Sequence, residues 1–138
     1  MSEAMTQLPA VGERIVHKAF PPISRHTLAL YCGASGDHNP IHVDFDFAKQ
    51  AGFPDVFAHG MLVMAYLGQA LTDAVPPASI RSFSTRFAAI TQLGARLTCE
   101  GHVAELFEAN GERRARLTLT TKDEHDEIKL AAEAVIAL

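Results

Sequence analysis

A carboxylate and an imidazole lie five residues apart in the segment GDHNPIH, at Asp37 and His42. A continuous helix would not place two side chains at this spacing on one face. Asn39-Pro40 interrupts any such helix, because proline disfavours the α region at the residue before it. A bent loop can bring both groups to one point, with room for a water molecule between them. Histidine has an ordinary pKa of ~6.5, so the pair is suited to proton transfer near neutral pH.

A second segment of interest, AHGML, places His59 seventeen residues after His42. If a helix begins at Gly60, its first N–H groups lack partners and its dipole makes this end positive. Glycine has no side chain, so a ligand can approach the Gly60 N–H closely. The segment therefore predicts a site for a carbonyl oxygen that develops negative charge.

The same residues allow a second interpretation, in which Asp37, His38 and His42 are metal ligands. The His-x₃-His spacing suits zinc when both histidines lie on one helix. Asn39-Pro40 prevents that helix, so we favour acid–base chemistry without a metal. We interpret His59 as a residue that orients the loop through hydrogen bonds rather than as a third catalytic group.

The elements that would position this loop come from both sides of it. We predict a strand over residues 13–20, and a helix from an N-cap at Ser24 to a stop at Gly36. A short second helix should run from Asp44 to Gly52. The apolar face of the first helix should include Leu28, Leu30 and Tyr31.

Residues 60–73 are apolar almost all the way around, which predicts a helix surrounded by protein and ended by Pro76-Pro77. We interpret its Met61, Met64 and Tyr66 as core residues, and part of such a core lining can become a substrate tunnel. Met61 is therefore also a candidate substrate-binding residue.

The rest of the chain alternates with the period of two that is typical of strands. The predicted strands cover residues 80–90, 95–106, 112–122 and 128–138, and Asn110-Gly111 predicts a hairpin turn. In the first of these strands, Phe83, Thr85 and Phe87 alternate with Ser82, Ser84 and Arg86. The alanine-rich last segment would also fit a helix. The resulting fold class is α+β, with an antiparallel sheet against one side of the buried helix. Its other side needs cover from the N-terminal segments or from a second subunit.

Composition narrows the function further. The 138 residues fit a single domain, residues 1–138, with 48% hydrophobic and 20% charged residues. The longest apolar run is shorter than the ~20 residues that cross a bilayer. Residues 1–14 lack a basic segment followed by an apolar one, so we expect no signal peptide and a cytoplasmic location. A net charge of −4 argues against nucleic-acid binding. Cys32 and Cys99 match no metal or redox spacing, so we expect reduced, buried thiols.

The run YCGASGDHNPIHVD, followed by AKQAGFPDVFAHGML, resembles the MaoC-type hydratases, also called (R)-specific enoyl-CoA hydratases or hydratase 2. The resemblance extends from about Gly12 to the end of the chain and is most specific between Tyr31 and Met61. It implies the hot-dog fold, in which an antiparallel β-sheet wraps a long central helix. It also implies a dimer, for which we expect a homodimer, with a heterodimer as the alternative.

The resemblance further implies that Asp37 and His42 are catalytic and that the Gly60 N–H stabilises the oxyanion. Asn39, His59 and Met61 would contact the substrate. The implied reaction is the reversible hydration of trans-2-enoyl thioesters to (3R)-3-hydroxyacyl thioesters. Coenzyme A or acyl-carrier protein would be part of the substrate, with no metal and no other cofactor. Two alternatives stay open at this point, a hot-dog acyl thioesterase and a non-catalytic acyl-thioester-binding subunit of a heterodimeric dehydratase.

Overall fold

One antiparallel sheet and three helices make up the structure, a computed structural model that describes residues 8–138. The first seven residues, part of the segment in which the sequence predicts no signal peptide, lie outside this range. The strands are β1 (Arg14–Ala19), β2 (Ile80–Phe87), β3 (Thr98–Ala109), β4 (Glu112–Lys122) and β5 (Ile128–Ala137). The helices are α1 (Arg25–Ser35), α2 (Phe45–Gln50) and α3 (Gly60–Ala74), with 3-10 turns at Pro40–His42 and Pro77–Ser79.

The sheet has the strand order β1-β3-β4-β5-β2, so β1 and β2 are its edges. Asn110 and Gly111 join β3 to β4 with φ angles of 54° and 73°, as the hairpin prediction requires. The last segment is a strand rather than a helix, because it pairs with both β4 and β2. No helix within residues 8–138 has the length and apolar character needed to cross a bilayer.

Helix α3 packs one face on the sheet. Its fully or nearly buried residues are Leu62, Val63, Leu67, Ala70 and Leu71. The helix runs one residue beyond its predicted end. The predicted wrapping of a long helix by an antiparallel sheet is confirmed.

The opposite face of α3 is not covered within the described chain, because Met61 is 56% exposed and Ala65 and Gln69 are exposed as well. The prediction that Met61 belongs to the core is therefore wrong. Met64 and Tyr66 are half-buried against the core, as predicted.

Helix α1 corrects a second detail of the predicted core. Leu30 is 61% exposed, whereas Leu28 and Cys32 are buried. Residues four apart share a helix face, but a residue two positions along points away from it. Leu30 could therefore not share the buried face of Leu28. Cys32 and Cys99 are both free and buried, as predicted.

Strand boundaries also differ from the prediction, most of all in β2 and β3. Strand β2 ends at Phe87 rather than at residue 90, and the chain then leaves the sheet. The Ala58 N–H donates to the Thr91 carbonyl at 2.8 Å, so this departing loop bonds to the segment before α3. Phe87 itself is 51% exposed and not part of the core. Strand β3 begins at Thr98, because Ala95 and Leu97 bond instead to the irregular segment 20–23.

Candidate functional site

The loop that carries Asp37 starts where α1 ends. Gly36 adopts the left-handed conformation, with φ of 77°, and its N–H donates to the Cys32 carbonyl at 3.0 Å. This is the usual glycine stop of a helix. The Ser35 hydroxyl donates to the Tyr31 carbonyl at 2.7 Å and accepts from the Asp37 N–H at 3.1 Å. The direction of the chain at Asp37 is therefore fixed by local hydrogen bonds.

Two side chains shape the next residues. The Asn39 N–H donates to Asp37 Oδ1 at 3.3 Å, and the Ile41 N–H donates to Asn39 Oδ1 at 3.1 Å. Such local bonds replace the backbone pairing that Pro40 removes. Asn39 thus has the contacts of a loop-shaping residue. The resulting 3-10 turn ends at His42 and directs its side chain inward, where it is 7% exposed.

The hydrogen bond of His42 fixes which ring nitrogen carries a proton. His42 Nδ1 lies 2.7 Å from the Phe57 carbonyl oxygen. A carbonyl can only accept, so Nδ1 of the neutral ring donates and Nε2 keeps a lone pair. The Phe57 ring meets the His42 ring edge-on at 5.3 Å. The neutral His42 ring is therefore held with its lone pair on Nε2.

His59 lies directly against His42. The two rings stack with 3.8 Å between centroids, and His59 is 1% exposed. His59 Nε2 is 3.3 Å from the Asp37 carbonyl oxygen and 3.4 Å from Cys32 Sγ. Its Nδ1 has no hydrogen-bond partner within residues 8–138. The contact with Asp37 is the kind that a loop-orienting role requires.

The pKa of His59 is lowered from its ordinary value. The main cause of the lowered pKa is burial, and a positive charge on His42, when that ring is protonated, lowers it further. The hydrogen bond to the Asp37 backbone and the Asp37 charge act in the opposite direction without outweighing burial. His59 is therefore held neutral, and its Nε2 donates to the Asp37 carbonyl.

Asp37, His42 and His59 form one cluster. Each offers one potential ligand atom, and these atoms lie within 4.8 Å of one another. A water molecule fits between groups at such separations, and the same three groups have the donor types that bind zinc. His38, which the metal interpretation used, is not a member of this cluster.

Gly60 lies beside this cluster at the start of α3. His59 is the N-cap, and no side chain caps the helix within the described residues, so its first N–H groups face outward. Gly60 borders a pocket of about 330 Å³ whose mostly apolar wall includes Val63, Phe87 and Leu130. A Cβ at Gly60 would lie 3.1 Å from two carbons of the Phe87 ring. Asp37, His42 and His59 do not line this pocket, but Phe57 and Gly60, which lie on either side of His59 in the chain, do.

Sequence reasoning missed three residues that hold the site in place. Phe57 acts through its carbonyl and Thr91 through its backbone as well, and a backbone contact leaves no signal in residue type. Lys129 is buried, and its Nζ donates to the carbonyl of Ile90, which lines the pocket. A single lysine in the apolar run IKLAAEAVIAL was the available signal for Lys129.

Met61, a predicted substrate-binding residue, is exposed near the start of α3, which leaves it free to contact a ligand.

Residues 6–128 match the family described as MaoC like domain. The chain belongs to the MaoC-like family. A curated relative, the 3-hydroxybutyryl-CoA dehydratase of Methylorubrum extorquens, is 34% identical over 83% of this chain and 72% of its own length. Several other curated relatives are much longer, and the matched part of this MaoC-like chain spans 20%, 29% and 26% of three of them.

Solved structures confirm the hot-dog fold of this MaoC-like protein. An (R)-hydratase of A. caviae superposes with a TM-score of 0.83 at 25% identity, covering 96% of this chain and 98% of that one. R-hydratase PhaJ1 of Pseudomonas aeruginosa gives a TM-score of 0.81 at 29% identity, covering 93% and 81%. The expected fold class, α+β with a sheet around a central helix, is therefore confirmed.

Proposed function

We propose that this MaoC-like protein is a hydro-lyase that adds water reversibly to trans-2-enoyl thioesters, giving (3R)-3-hydroxyacyl thioesters. The observation that carries this proposal is the convergence of the Asp37 carboxylate with a His42 ring whose free lone pair is on Nε2. Relatives named as a 3-hydroxybutyryl-CoA dehydratase and as (R)-hydratases support the reaction class and its stereochemistry.

In the proposed mechanism, one water lies between Asp37 and His42. His42 Nε2 takes a proton from this water while its oxygen bonds to C3 of the enoyl group. The electron pair of the C2–C3 double bond moves toward the thioester carbonyl, which becomes enolate-like. Asp37 orients the water, and its carboxylate takes the proton from protonated His42 and delivers it to C2, so both side chains regain their starting states. A positioned acid–base pair of this kind contributes roughly 10²–10⁴ in rate.

The enolate oxygen is proposed to lie at the N-terminus of α3. The Gly60 N–H faces outward there, and the helix dipole favours negative charge. The thioester would then sit at the edge of the apolar pocket of about 330 Å³, within the size range of small-molecule sites. In this arrangement His59 positions Asp37 through the hydrogen bond to its backbone carbonyl, and Met61 is available to contact the substrate.

The substrate's carrier is proposed to be coenzyme A or acyl-carrier protein. Hydration moves one proton and one hydroxyl group onto the alkene, with no net oxidation or reduction. The reaction therefore requires no redox cofactor, and the proposed acid–base pair requires no metal.

We propose that the protein works as a homodimer joined through strand β2. This strand pairs only with β5, so its other edge is free within residues 8–138. The uncovered face of α3 is apolar around Met61 and Ala65, and the start of α3 lies near this strand, because Gly60 and Phe87 line the same pocket. An unpaired edge beside an apolar face is suited to bind a second copy. A heterodimer with a different hot-dog subunit is the alternative.

The test is an absorbance assay of enoyl-CoA hydration over several acyl-chain lengths, with chiral analysis of the product. We expect turnover and a (3R) product. The same substrates carried on acyl-carrier protein would show which carrier is preferred. An (S) product would remove the stereochemical assignment.

Thiol release, measured with a dye in the same samples, distinguishes the hydratase from a hot-dog acyl thioesterase. A thioesterase would release free thiol without forming the hydroxyacyl product. If the protein binds acyl thioesters but shows turnover only after a second, different subunit is added, it is a subunit of a heterodimeric dehydratase. That result would contradict the proposed homodimeric hydratase.

A further inference from the structure

Lys129, on β5, has a fully paired ammonium group although its side chain is only 3% exposed. Lysine is almost never this buried unless it is paired. Its Nζ donates to the Ile90 carbonyl at 2.8 Å and lies 3.4 Å from Asp123 Oδ2. It also bonds to the Glu127 carboxylate. Two acidic groups hold the charge in place, and the third contact is directed at a loop.

That loop, residues 88–91, forms one wall of the pocket beside Gly60. It is bonded on both sides. On the outer side, the Ala88 N–H donates to the Lys129 carbonyl at 2.9 Å, next to the Ile90 bond. On the inner side, the Ala58 N–H donates to the Thr91 carbonyl at 2.8 Å. The loop thus connects Lys129 to the segment that precedes α3.

The inner segment carries two of the proposed catalytic contacts. The Phe57 carbonyl accepts from His42 Nδ1 at 2.7 Å and so fixes the orientation of that ring. Three residues after Phe57, Gly60 presents its N–H at the start of α3. A shift of residues 57–60 would therefore move both the base and the oxyanion donor.

We propose that Lys129 is a positioning residue for the site, which holds the pocket wall through the Ile90 carbonyl and, through that wall, the orientation of His42 and Gly60. Ala88 and Ile90 in this loop are exposed and Ala89 is half-buried, and a segment with few buried contacts opens locally at low free-energy cost. Lys129 supplies a charged hydrogen bond, the stronger kind, from an ammonium group that burial and two carboxylate partners hold in place. The effect on turnover rests on the proposed hydratase function, whereas the effect on the loop does not.

The test compares Lys129→Met with the wild type by hydrogen–deuterium exchange. We expect exchange in residues 57–60 and 88–91 to rise by about tenfold, the size expected when opening no longer breaks a charged hydrogen bond. Lys18→Met is the matched control, because Lys18 has an ion pair with Asp73, at 2.7 Å, and no contact with this loop. Unchanged exchange in both segments, or a rise equal to that of Lys18→Met, would overturn the proposal.

A measurement on the wild type covers the case in which Lys129→Met does not fold. In a protein labelled with ¹⁵N-lysine and with ¹³C at the isoleucine carbonyls, the Lys129 ammonium protons should exchange slowly with water and show a coupling across the bond to the Ile90 carbonyl. Exchange as fast as that of the exposed Lys49 would overturn the proposal.

Kinetics separates positioning from a loss of folded protein. Fewer folded molecules lower the apparent kcat alone, whereas a displaced wall also raises KM. We expect Lys129→Met to raise KM and lower kcat, and Lys129→Arg, which keeps charge and donors, to restore part of both. A KM equal to that of the wild type would contradict the positioning role. A wild type without hydratase activity would overturn the proposed function, and the exchange experiment would still decide whether Lys129 holds the loop.

Discussion

The imidazole rings of His42 and His59 are stacked, with 3.8 Å between their centroids and 24° between their planes. Two protonated rings in such contact would repel each other, so at least one must be neutral. Burial and the neighbouring His42 lower the pKa of His59, which makes His59 the neutral partner. In the proposed mechanism, His42 is then the ring that takes the proton from water.

The lowered pKa of His59 predicts a stability that depends on pH. Its folded pKa lies below the ~6.5 of an unfolded histidine, so the unfolded chain binds more protons in this range. The contribution of His59 to the free energy of unfolding is complete above about pH 6.5 and is lost as the pH falls below that value. We expect His59→Gln to flatten this dependence, measured by urea unfolding at several pH values. His26→Gln, at an exposed histidine, should leave the slope unchanged, and equal slopes in all three proteins would contradict the assignment.

Gly60→Ala tests the close approach at the start of α3. The added methyl would lie 3.1 Å from the Phe87 ring and would narrow the pocket next to the proposed oxyanion position. We expect kcat to fall by about tenfold or more, or ~1.4 kcal/mol in the barrier, with the fold retained. Gly33→Ala is the matched control, because a Cβ at Gly33 has no neighbour within 4 Å. Equal kcat values for the two variants would show that the end of α3 does not bind the reacting carbonyl.

We expect the free edge of β2 to form the dimer interface. A lysine on an edge strand opposes pairing with a second strand, so Ser84→Lys should shift the protein from dimer toward monomer in light scattering. Thr118→Lys provides a control, because Ser84 and Thr118 both pair with Glu133 but Thr118 lies in the sheet interior. A wild type that is a fully active monomer would contradict the interface, as would dissociation by both substitutions.

Removal of metal separates the two chemistries that the cluster of Asp37, His42 and His59 allows. In the proposed mechanism these side chains act on water directly. Dialysis against a chelator should therefore leave kcat unchanged, and added zinc should not raise it. Loss of activity on chelation, with recovery on adding zinc, would identify the cluster as a metal site instead.

Sequence reasoning was sufficient where local rules decide the structure. The turn at Asn110-Gly111 and the helix start at Gly60 follow from residue type and position. It also grouped Asp37 with His42, since Asn39-Pro40 forces a bent loop. These features need no knowledge of distant parts of the chain.

The remaining features depend on contacts between distant segments. After β2 ends at Phe87, the chain bonds to a distant segment through the Ala58 N–H and the Thr91 carbonyl, and no pattern in residues 80–90 reveals this contact. The ring orientation of His42 is set by the carbonyl of Phe57, and every residue has a carbonyl. Met61 is exposed in the single chain, and its exposure in solution depends on whether a second subunit covers α3. The pattern of one chain does not reveal such a contact.

The most direct test of the central claim is steady-state kinetics on Asp37→Asn, His42→Ala and the double variant, with circular dichroism to confirm folding. Each single substitution should lower kcat by roughly two to four powers of ten, the range for a positioned acid or base. The double variant should be scarcely worse than the worse single one, because both groups act on one water and such effects are not additive. His38→Ala, at an exposed neighbour in the same loop, should stay close to the wild type. A His42→Ala protein that keeps more than about a tenth of the wild-type kcat would contradict the account.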